Sequence, residues 1–271
     1  MSSFSKSHFL DRTTPPHIAT LILMAGIGAL SLNVFLPSLP TMAQHFGVDY
    51  ALMQFSVSAY LATTAVVQIA IGPFSDRFGR RPVMIGTAII FTIASVGAIY
   101  APNFNIFLSF RLLQTAIATG FVISRATVRD MLPENQAASM IGYITMGMSI
   151  VPMMGPAMGG VLDEAFGWQA SFWMLAGGGL LLFITLFFDQ GETFTKREGG
   201  FAAQVREYPK LLTSQRFWGY CLAAAFASGA FFAYLGGAPF VGSEVFAMEP
   251  AELGLYFGSP AIGYLIGNGL S

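Results

Sequence analysis

Three polar side chains that could take part in chemistry are embedded in long apolar stretches of the sequence. Arg111 lies about seven residues into the stretch that begins at Phe104, and Gln114 follows on the same helical face. At 1.5 Å per residue, Arg111 would lie ~10 Å below a membrane surface, where an arginine costs several kcal/mol unless it faces water or a partner. Asn33 lies at a similar depth in an earlier stretch. We expect these three residues to line a polar cavity; the alternative is a structural Arg111 bonded to backbone carbonyls.

The sequence lacks the motifs of an enzyme, an ATP-driven pump or a metal protein. It contains no Walker A, H-E-x-x-H or G-x-S-x-G pattern, and no filter motif that would favour a channel. The three histidines, His8, His17 and His45, are too widely spaced to form a site, and Cys221 is the only cysteine. We therefore expect no catalytic residue, no metal and no cofactor.

The composition is that of a protein that crosses a membrane several times. Of the 271 residues, 54% are hydrophobic and 10% are charged, whereas a soluble domain carries about 25% charged residues. This predicts an all-α membrane protein that has the lipid bilayer, and no nucleic acid, as its partner. Eight spans are predicted, over about 17–39, 50–71, 82–100, 104–127, 137–162, 170–188, 217–241 and 251–271.

The predicted spans divide into two groups. Residues 1–188 hold six spans and are expected to form an N-terminal half, whereas residues 217–271 hold two spans of a second half. The polar residues 189–216 would form a cytoplasmic linker between them. A plan of two similar halves joined by a polar linker is typical of secondary transporters.

Positive charge is confined to alternate predicted loops, and this orients the chain. The remaining loops hold only acidic residues. Because cytoplasmic loops collect Lys and Arg, we predict a multi-pass protein of the inner (cytoplasmic) membrane with its N-terminus in the cytoplasm. The bases concerned are Lys6, Arg12, Arg77, Arg80, Arg81, Arg125, Arg129, Lys196, Arg197, Arg206, Lys210 and Arg216.

The most strongly charged short run lies between the second and third predicted spans. Such a run cannot lie in hydrocarbon, so we expect a loop with tight turns at its glycines. Its aspartate is expected to be ionised and either paired with an arginine or placed at the start of a helix. The run contains Gly72, Asp76, Arg77, Gly79, Arg80 and Arg81.

The fifth predicted span is rich in glycine and proline. Its glycines recur at a four-residue spacing that lets another helix approach closely, and its prolines should bend the helix. This favours either ordinary small-residue packing or a seam along which helices rock. The residues concerned are Gly147, Gly155, Gly159, Gly160, Pro152 and Pro156.

Four motifs together resemble the major facilitator superfamily, and within it the twelve-helix drug:proton antiporters of the Bcr/CflA type. G-P-F-S-D-R-F-G-R-R (72–81) is similar to the family's loop signature between helices two and three, and R-L-L-Q (111–114) to its helix-four motif. M-G-P-A-M-G-G (154–160) is similar to the antiporter motif of helix five, and N-V-F-L-P-S-L-P (33–40) to the end of helix one. The resemblance covers the whole chain.

The resemblance implies a role for each motif. Asp76 and Arg80 would belong to a conformational latch between the two halves, and Arg111 would assist proton coupling or set the charge of the cavity. Two features depart from the family pattern: the last four helices are missing, and Asn33 replaces an aspartate of many relatives and cannot carry a proton. A bend packed against helix eight would be formed by Gly155, Pro156 and Gly159.

We favour a proton-coupled exporter of hydrophobic or cationic drugs that works by alternating access and is monomeric when full length. Tyr60 and Tyr234 are candidate pocket residues for the small-molecule substrate. One alternative is a facilitator or importer of a small metabolite without proton coupling, which is favoured because no Asp or Glu is predicted to be buried in the middle of a span. The other is a truncated helical fragment that does not transport.

Overall fold

The computed structural model describes residues 8–149, 151–193 and 209–249, together with Glu252 and Tyr256. These residues are helical or lie in connections, and they contain no β-strand. Short 3-10 turns join α1 to α2 and α5 to α6, at Leu36–Ser38 and Thr115–Ala118. The helices are α1 (Ile18–Asn33), α2 (Leu39–Phe46), α3 (Tyr50–Phe78), α4 (Arg80–Ile99), α5 (Phe104–Gln114), α6 (Thr119–Met131), α7 (Glu134–Ser149), α8 (Val151–Phe166), α9 (Gln169–Asp189) and α10 (Gln215–Phe240).

Helix α1 lies at the centre of the bundle. It packs against α6, α7, α8 and α9, while α4 packs chiefly against α9 and α5. Apolar residues surround α1 on all sides instead of forming a single stripe, which is typical of a helix with neighbours all round. The residues that the sequence places in the first apolar span therefore become the core against which the other helices are positioned.

Six helical stretches in the described part of the chain are long and apolar enough to cross a membrane. Large apolar side chains such as Val66 and Ile93 remain more than 60% exposed on them, which suits contact with lipid. The fifth predicted span falls on α7 and α8, and the predicted span 251–271 lies outside the described residues except for Glu252 and Tyr256. The six stretches are Ile18–Phe46, Tyr50–Phe78, Arg80–Ile99, Phe104–Met131, Gln169–Asp189 and Gln215–Tyr234.

The charged run Gly72–Arg81 is almost entirely helical, so the prediction of a loop there was wrong. Helix α3 continues to Phe78 and α4 begins at Arg80, which leaves Gly79 alone between them. Gly79 has a φ of 98°, a conformation that suits a residue without Cβ, whereas Gly72 lies inside α3. Charges must leave the hydrocarbon, but a helix satisfies its own backbone and can continue into water.

The connections on the opposite side of the bundle are also shorter than the sequence suggested. Helix α2 occupies most of the connection between the predicted spans 17–39 and 50–71, and it ends at Phe46. Helix α8 continues to Phe166 through the start of the loop predicted over 163–169. Gly167 follows it with a φ of 82°, and α9 begins two residues later at Gln169. Short connections of this kind hold consecutive helices side by side.

Candidate functional site

A fully buried guanidinium is the centre of the candidate site. Arg111 lies in the last turn of α5 and has no exposed surface. Its guanidinium carbon is 4.2 Å from the ring centroid of Phe35, 4.3 Å from that of Tyr60 and 5.9 Å from that of Phe172. Aromatic faces attract a cation, and the attraction is stronger where water is excluded. The rings of three separate parts of the chain therefore offset some of the cost of burying the charge.

A chain of hydrogen bonds connects Arg111 to neighbouring helices. Its Nη1 donates to Gln114 Oε1 at 2.6 Å, and Gln114 Nε2 donates to Ser95 Oγ of α4 at 2.7 Å. A longer contact of 3.4 Å joins Nη1 to the backbone carbonyl of Ser31 on α1. The Tyr60 hydroxyl on α3 donates to Ser31 Oγ at 3.2 Å. Four helices thus meet at one buried polar cluster, which we call the Arg111 cluster: Ser31, Tyr60, Ser95, Arg111 and Gln114.

The positive charge of Arg111 is not neutralised by an acid in the part of the chain that the structure describes. Both salt bridges there belong to Arg80. The Nε and Nη2 groups of Arg111 are buried and have no hydrogen-bond acceptor. A buried donor without a partner costs free energy, so the site has two nitrogens, with three N–H bonds between them, available for an anionic or carbonyl group that enters it.

Asn33 lies outside the Arg111 cluster. Residues two apart on a helix point ~200° apart around its axis, so Ser31 faces Arg111 while Asn33 faces α8. A Cβ placed on Gly155 of α8 would lie 3.5 Å from the Cβ of Asn33. The Asn33 amide donates to the Ala29 carbonyl at 2.6 Å, and its Oδ1 is buried without a partner. The structure thus brings together Arg111 and Gln114, as expected, but not Asn33.

A second polar network lies where α3 meets α4. Arg80 is 6% exposed and its guanidinium pairs with Asp76 at 2.6 Å and with Asp130 of α6 at 3.2 Å. It also donates to the Ser75 hydroxyl. The sequence predicts the local pairing of Asp76, but Asp130 is 50 residues from Arg80 and only the packing of α6 brings it there. Sequence reasoning therefore missed one acid of this network.

The first turn of α4 is capped by an acid from beyond α9. Glu192 accepts hydrogen bonds from the backbone N–H of Arg80 at 2.9 Å and of Arg81 at 3.2 Å. Negative charge at a helix start is favourable, and a Cβ on Gly79 would overlap the Glu192 carboxylate. Arg77 instead lies exposed over the ring of Phe78. The two arginines that flank Arg80 therefore do not share its buried pairing.

The glycines of the helix-five motif pack against the end of α1. A Cβ on Gly159 would overlap the backbone carbonyl of Val34, whereas one on Gly155 would make an ordinary contact. Pro156 and Gly160 are buried on the same helix. A seam of close contact, as the spacing predicts, therefore exists between α8 and α1; the helix-eight partner implied by the resemblance falls outside the described residues.

The two candidate pocket tyrosines have different surroundings. Tyr60 is buried over Arg111. Tyr234 lines an apolar cavity of about 180 Å³ near the end of α10, together with Val241 and Phe246. Within the described ranges, no group of three His, Cys, Asp or Glu side chains could hold a metal ion.

Comparison with known proteins finds one matching family and several similar proteins. A family model described as Major Facilitator Superfamily matches residues 21–271. The chain is 29% identical over 252 residues to the uncharacterized MFS-type transporter YdgK of Bacillus subtilis, which covers 91% of this chain and 63% of that protein. It is 30% identical to a chloramphenicol resistance protein of Pseudomonas aeruginosa, over 82% of this chain and 54% of that protein. It is also 30% identical to the multidrug transporter MdfA of Edwardsiella tarda, over 76% of this chain and 51% of that protein. The chain thus spans less than two thirds of each of these relatives.

Solved structures show the same fold at low identity. A bacterial homolog of the human lysosomal transporter Spinster, in an inward-facing conformation, superposes with a TM-score of 0.72 at 18% identity, over 90% of this chain and 58% of that one. The human organic anion transporter MFSD10 superposes with a TM-score of 0.72 at 17% identity, over 93% and 70%.

Proposed function

Because the chain belongs to the Major Facilitator Superfamily, we propose that it exports drugs or other small hydrophobic compounds in exchange for protons, by alternating access. The observation that carries this proposal is Arg111, a guanidinium with no exposed surface and with two nitrogens, Nε and Nη2, that lack acceptors. Ionisable residues inside a membrane are expensive and mark substrate or ion pathways. A purely structural contact between helices would not require a charge at this position.

The surroundings of Arg111 suit substrates that are largely apolar. Phe35, Tyr60 and Phe172 present ring faces to the site, and the chain holds 26 Phe and 14 Met. Aromatic and methionine side chains form adaptable pockets for varied ligands. Relatives named as chloramphenicol and multidrug resistance proteins support drug export as the transport class.

The Arg80 network supports a latch near the predicted cytoplasmic surface. Arg80 holds two acids on different helices, Asp76 and Asp130, and such a pairing is broken when α3 and α6 move apart. The basic residues of the predicted inner loops support a cytoplasmic N-terminus in the inner membrane. We further propose that the full-length transporter is monomeric.

Transport by the intact chain can be measured in inside-out membrane vesicles from a host that lacks its own drug exporters. We expect an imposed proton gradient, acidic inside, to drive uptake of labelled chloramphenicol, and collapse of the gradient to stop it. Substitution Arg111→Ala should abolish uptake. The matched control is Arg125→Ala, because Arg125 is an exposed arginine on α6.

Each outcome bears on a separate part of the proposal. Uptake that ignores the gradient contradicts proton coupling, and normal uptake by Arg111→Ala contradicts the role of Arg111. Equal loss in Arg111→Ala and Arg125→Ala would assign the loss to a general charge effect. Absence of uptake by the unmodified chain contradicts export of this compound.

A second candidate function is facilitated movement of a small metabolite without proton coupling. It is favoured by Asn33, which cannot carry a proton, and by the absence of an acid paired with Arg111 among the described residues. Counterflow of a labelled metabolite without any gradient is the expected result for this function. Export that strictly requires a proton gradient would exclude it.

A further inference from the structure

A buried carboxyl lies at the outer end of the seam between α1 and α8. Asp163 is 7% exposed and lies on α8 four residues after Gly159 and eight after Gly155. Residues at this spacing share one face of a helix, and that face packs against Asn33 and Val34. Asp163 continues the same contact surface to Thr41 of α2, whose hydroxyl oxygen is 3.0 Å from Asp163 Oδ2.

The hydrogen bonds at Thr41 fit a protonated Asp163. The Thr41 hydroxyl oxygen is 2.8 Å from the backbone carbonyl of Ser38 and 3.0 Å from Asp163 Oδ2. A hydroxyl has one proton to donate, and a carbonyl oxygen can only accept. If Thr41 donates to the Ser38 carbonyl, an ionised Asp163 loses the Thr41 donor and keeps only the Ser38 hydroxyl as a donor. If Asp163 carries a proton, it donates to Thr41, Thr41 donates to Ser38, and both contacts are satisfied.

Among the residues that the structure describes, no positively charged side chain pairs with Asp163. Asp163 follows the predicted span 137–162. Burial raises the pKa of its carboxyl above the ordinary value, against the smaller opposing effects of the Thr41 and Ser38 hydroxyls. Geometry and burial therefore favour the same neutral form.

The other ionisable groups on neighbouring elements are exposed or distant. Helix α1 and the turn Leu36–Ser38 contain none. Asp189 ends the 21-residue helix α9, at the far end from Asp163. The remaining ionisable groups on elements around this end of the bundle are all exposed. They are His45 in α2, Asp49 after α2, Glu164 on α8, Glu244 beyond α10, and Glu134 and Tyr143 on α7.

We propose that Asp163 is a proton-binding residue that closes the predicted outer ends of α1 and α8 when protonated and releases them when ionised. An ionised carboxylate favours water, and its contact with water would increase if α8 separated from Thr41 and Ser38. The proton passes between the Asp163 carboxyl and the outer solution, and no other group changes. Use of this proton in antiport rests on the proposed function, whereas proton binding itself does not.

Accessibility of a buried neighbour tests the opening of the seam. Met42 has no exposed surface and is adjacent to Thr41. In the full chain carrying Cys221→Ser and Met42→Cys, labelling by a membrane-impermeant maleimide is compared with and without Asp163→Asn at each pH. The labelling rate of the chain with Asp163 is divided by the rate of the chain with Asp163→Asn, and this ratio removes the pH dependence of the thiol itself. We expect this ratio to be about 1 at the acidic end of the pH series, near the ordinary pKa of aspartate, and to rise more than about fivefold at its alkaline end; a constant ratio overturns the proposal.

Thermal unfolding of the purified chain provides a second test. A carboxyl whose pKa is raised by folding binds protons more tightly in the folded state, so stability falls as pH rises above the ordinary pKa of aspartate. Asp163→Asn mimics the protonated form. We expect its melting temperature to match that of the unmodified chain at the acidic end of the pH series and to exceed it at the alkaline end.

A matched control separates Asp163 from the nearby histidine. His45→Gln should keep the pH dependence of the unmodified chain, and its loss in this variant would assign the effect to His45 and overturn the proposal. Failure of Asp163→Asn to fold also overturns it, because an amide has the shape of a neutral carboxyl. Neither test uses a transport substrate, so failure of drug export leaves both results interpretable.

Discussion

At the scale of single residues, Arg111 has few interactions for a buried charge. It has one short hydrogen bond, to Gln114, and contacts with the ring faces of Phe35 and Tyr60. A bracing role would require its N–H groups to be used, yet Nε and Nη2 have no acceptors. The arrangement therefore fits a residue whose remaining donors serve a ligand.

Substitution Arg111→Met separates a transport role from a bracing role. Removing a buried charge without an acid partner is favourable, while leaving Gln114 without its donor costs about 1–3 kcal/mol. These effects offset each other, so we expect the melting temperature in detergent to change by only a few degrees while vesicle uptake is lost. A large drop in melting temperature with uptake retained would show that Arg111 mainly holds helices together.

The local part of the Arg111 cluster could be predicted from the sequence and the rest could not. Arg111 and Gln114 are three residues apart on one helix, so their pairing follows from helical geometry. Tyr60 and Ser95 come from other helices, and only the packing of those helices brings them to Arg111. Asn33 was grouped with Arg111 by depth alone, and depth does not determine the direction in which a helical residue points.

At the scale of helices, the contact between α8 and α1 depends on the absence of a side chain at Gly159. A Cβ there would overlap the carbonyl of Val34, which is backbone and cannot rotate away. Gly155 is one turn earlier on the same helix and has room for a methyl group, 3.5 Å from Asn33. The two glycines look equivalent in the sequence but differ in the structure.

Alanine at these two positions should therefore give different results. We expect Gly159→Ala to destabilise the chain by about 1–3 kcal/mol through overpacking, and Gly155→Ala to leave the melting temperature unchanged or slightly higher, because Ala favours a helix over Gly. Melting temperatures of both variants in one detergent provide the measurement. Equal effects would contradict the close approach of α1 at Gly159.

The existence of the helices was predictable because long apolar runs in this composition have to be membrane helices. The positions of the helix ends were not predictable. Hydropathy marks where a helix leaves hydrocarbon, whereas the helix itself ends where the backbone requires it, as at Gly79 and Gly167, both of which have positive φ. The prediction of a loop over Gly72–Arg81 failed for this reason.

At the scale of the whole molecule, the N-terminal segment is joined to the end of α9. Asp189 is fully buried and accepts hydrogen bonds from the backbone N–H of Leu10 at 2.7 Å and of His17 at 2.9 Å. The Thr20 hydroxyl donates to it at 2.6 Å. One carboxyl thus connects the segment before α1 to the last helix before the linker.

Substitution Asp189→Ala should loosen this connection. Three donors lose their acceptor, and a cost of about 2–4 kcal/mol follows if each loses part of its hydrogen-bond energy. Arg12 is exposed beside this contact, so we expect faster trypsin cleavage after Arg12 together with a lower melting temperature. Asp189→Asn is the control, since its amide oxygen still accepts and should give a smaller change. Unaltered cleavage in the alanine variant would contradict the tethering role.

The single-residue connection at Gly79 limits how α3 and α4 can move relative to each other. Consecutive Cα atoms are about 3.8 Å apart, so the end of α3 and the start of α4 cannot separate along the membrane normal by more than a few ångströms. The two helices therefore form a hairpin with a very short connection, so sliding of α4 along its axis, which carries Ser95, must be accompanied by sliding of α3, which carries Tyr60. A ligand that shifts Gln114, and with it Ser95 along the axis of α4, would consequently shift both helices of the hairpin together.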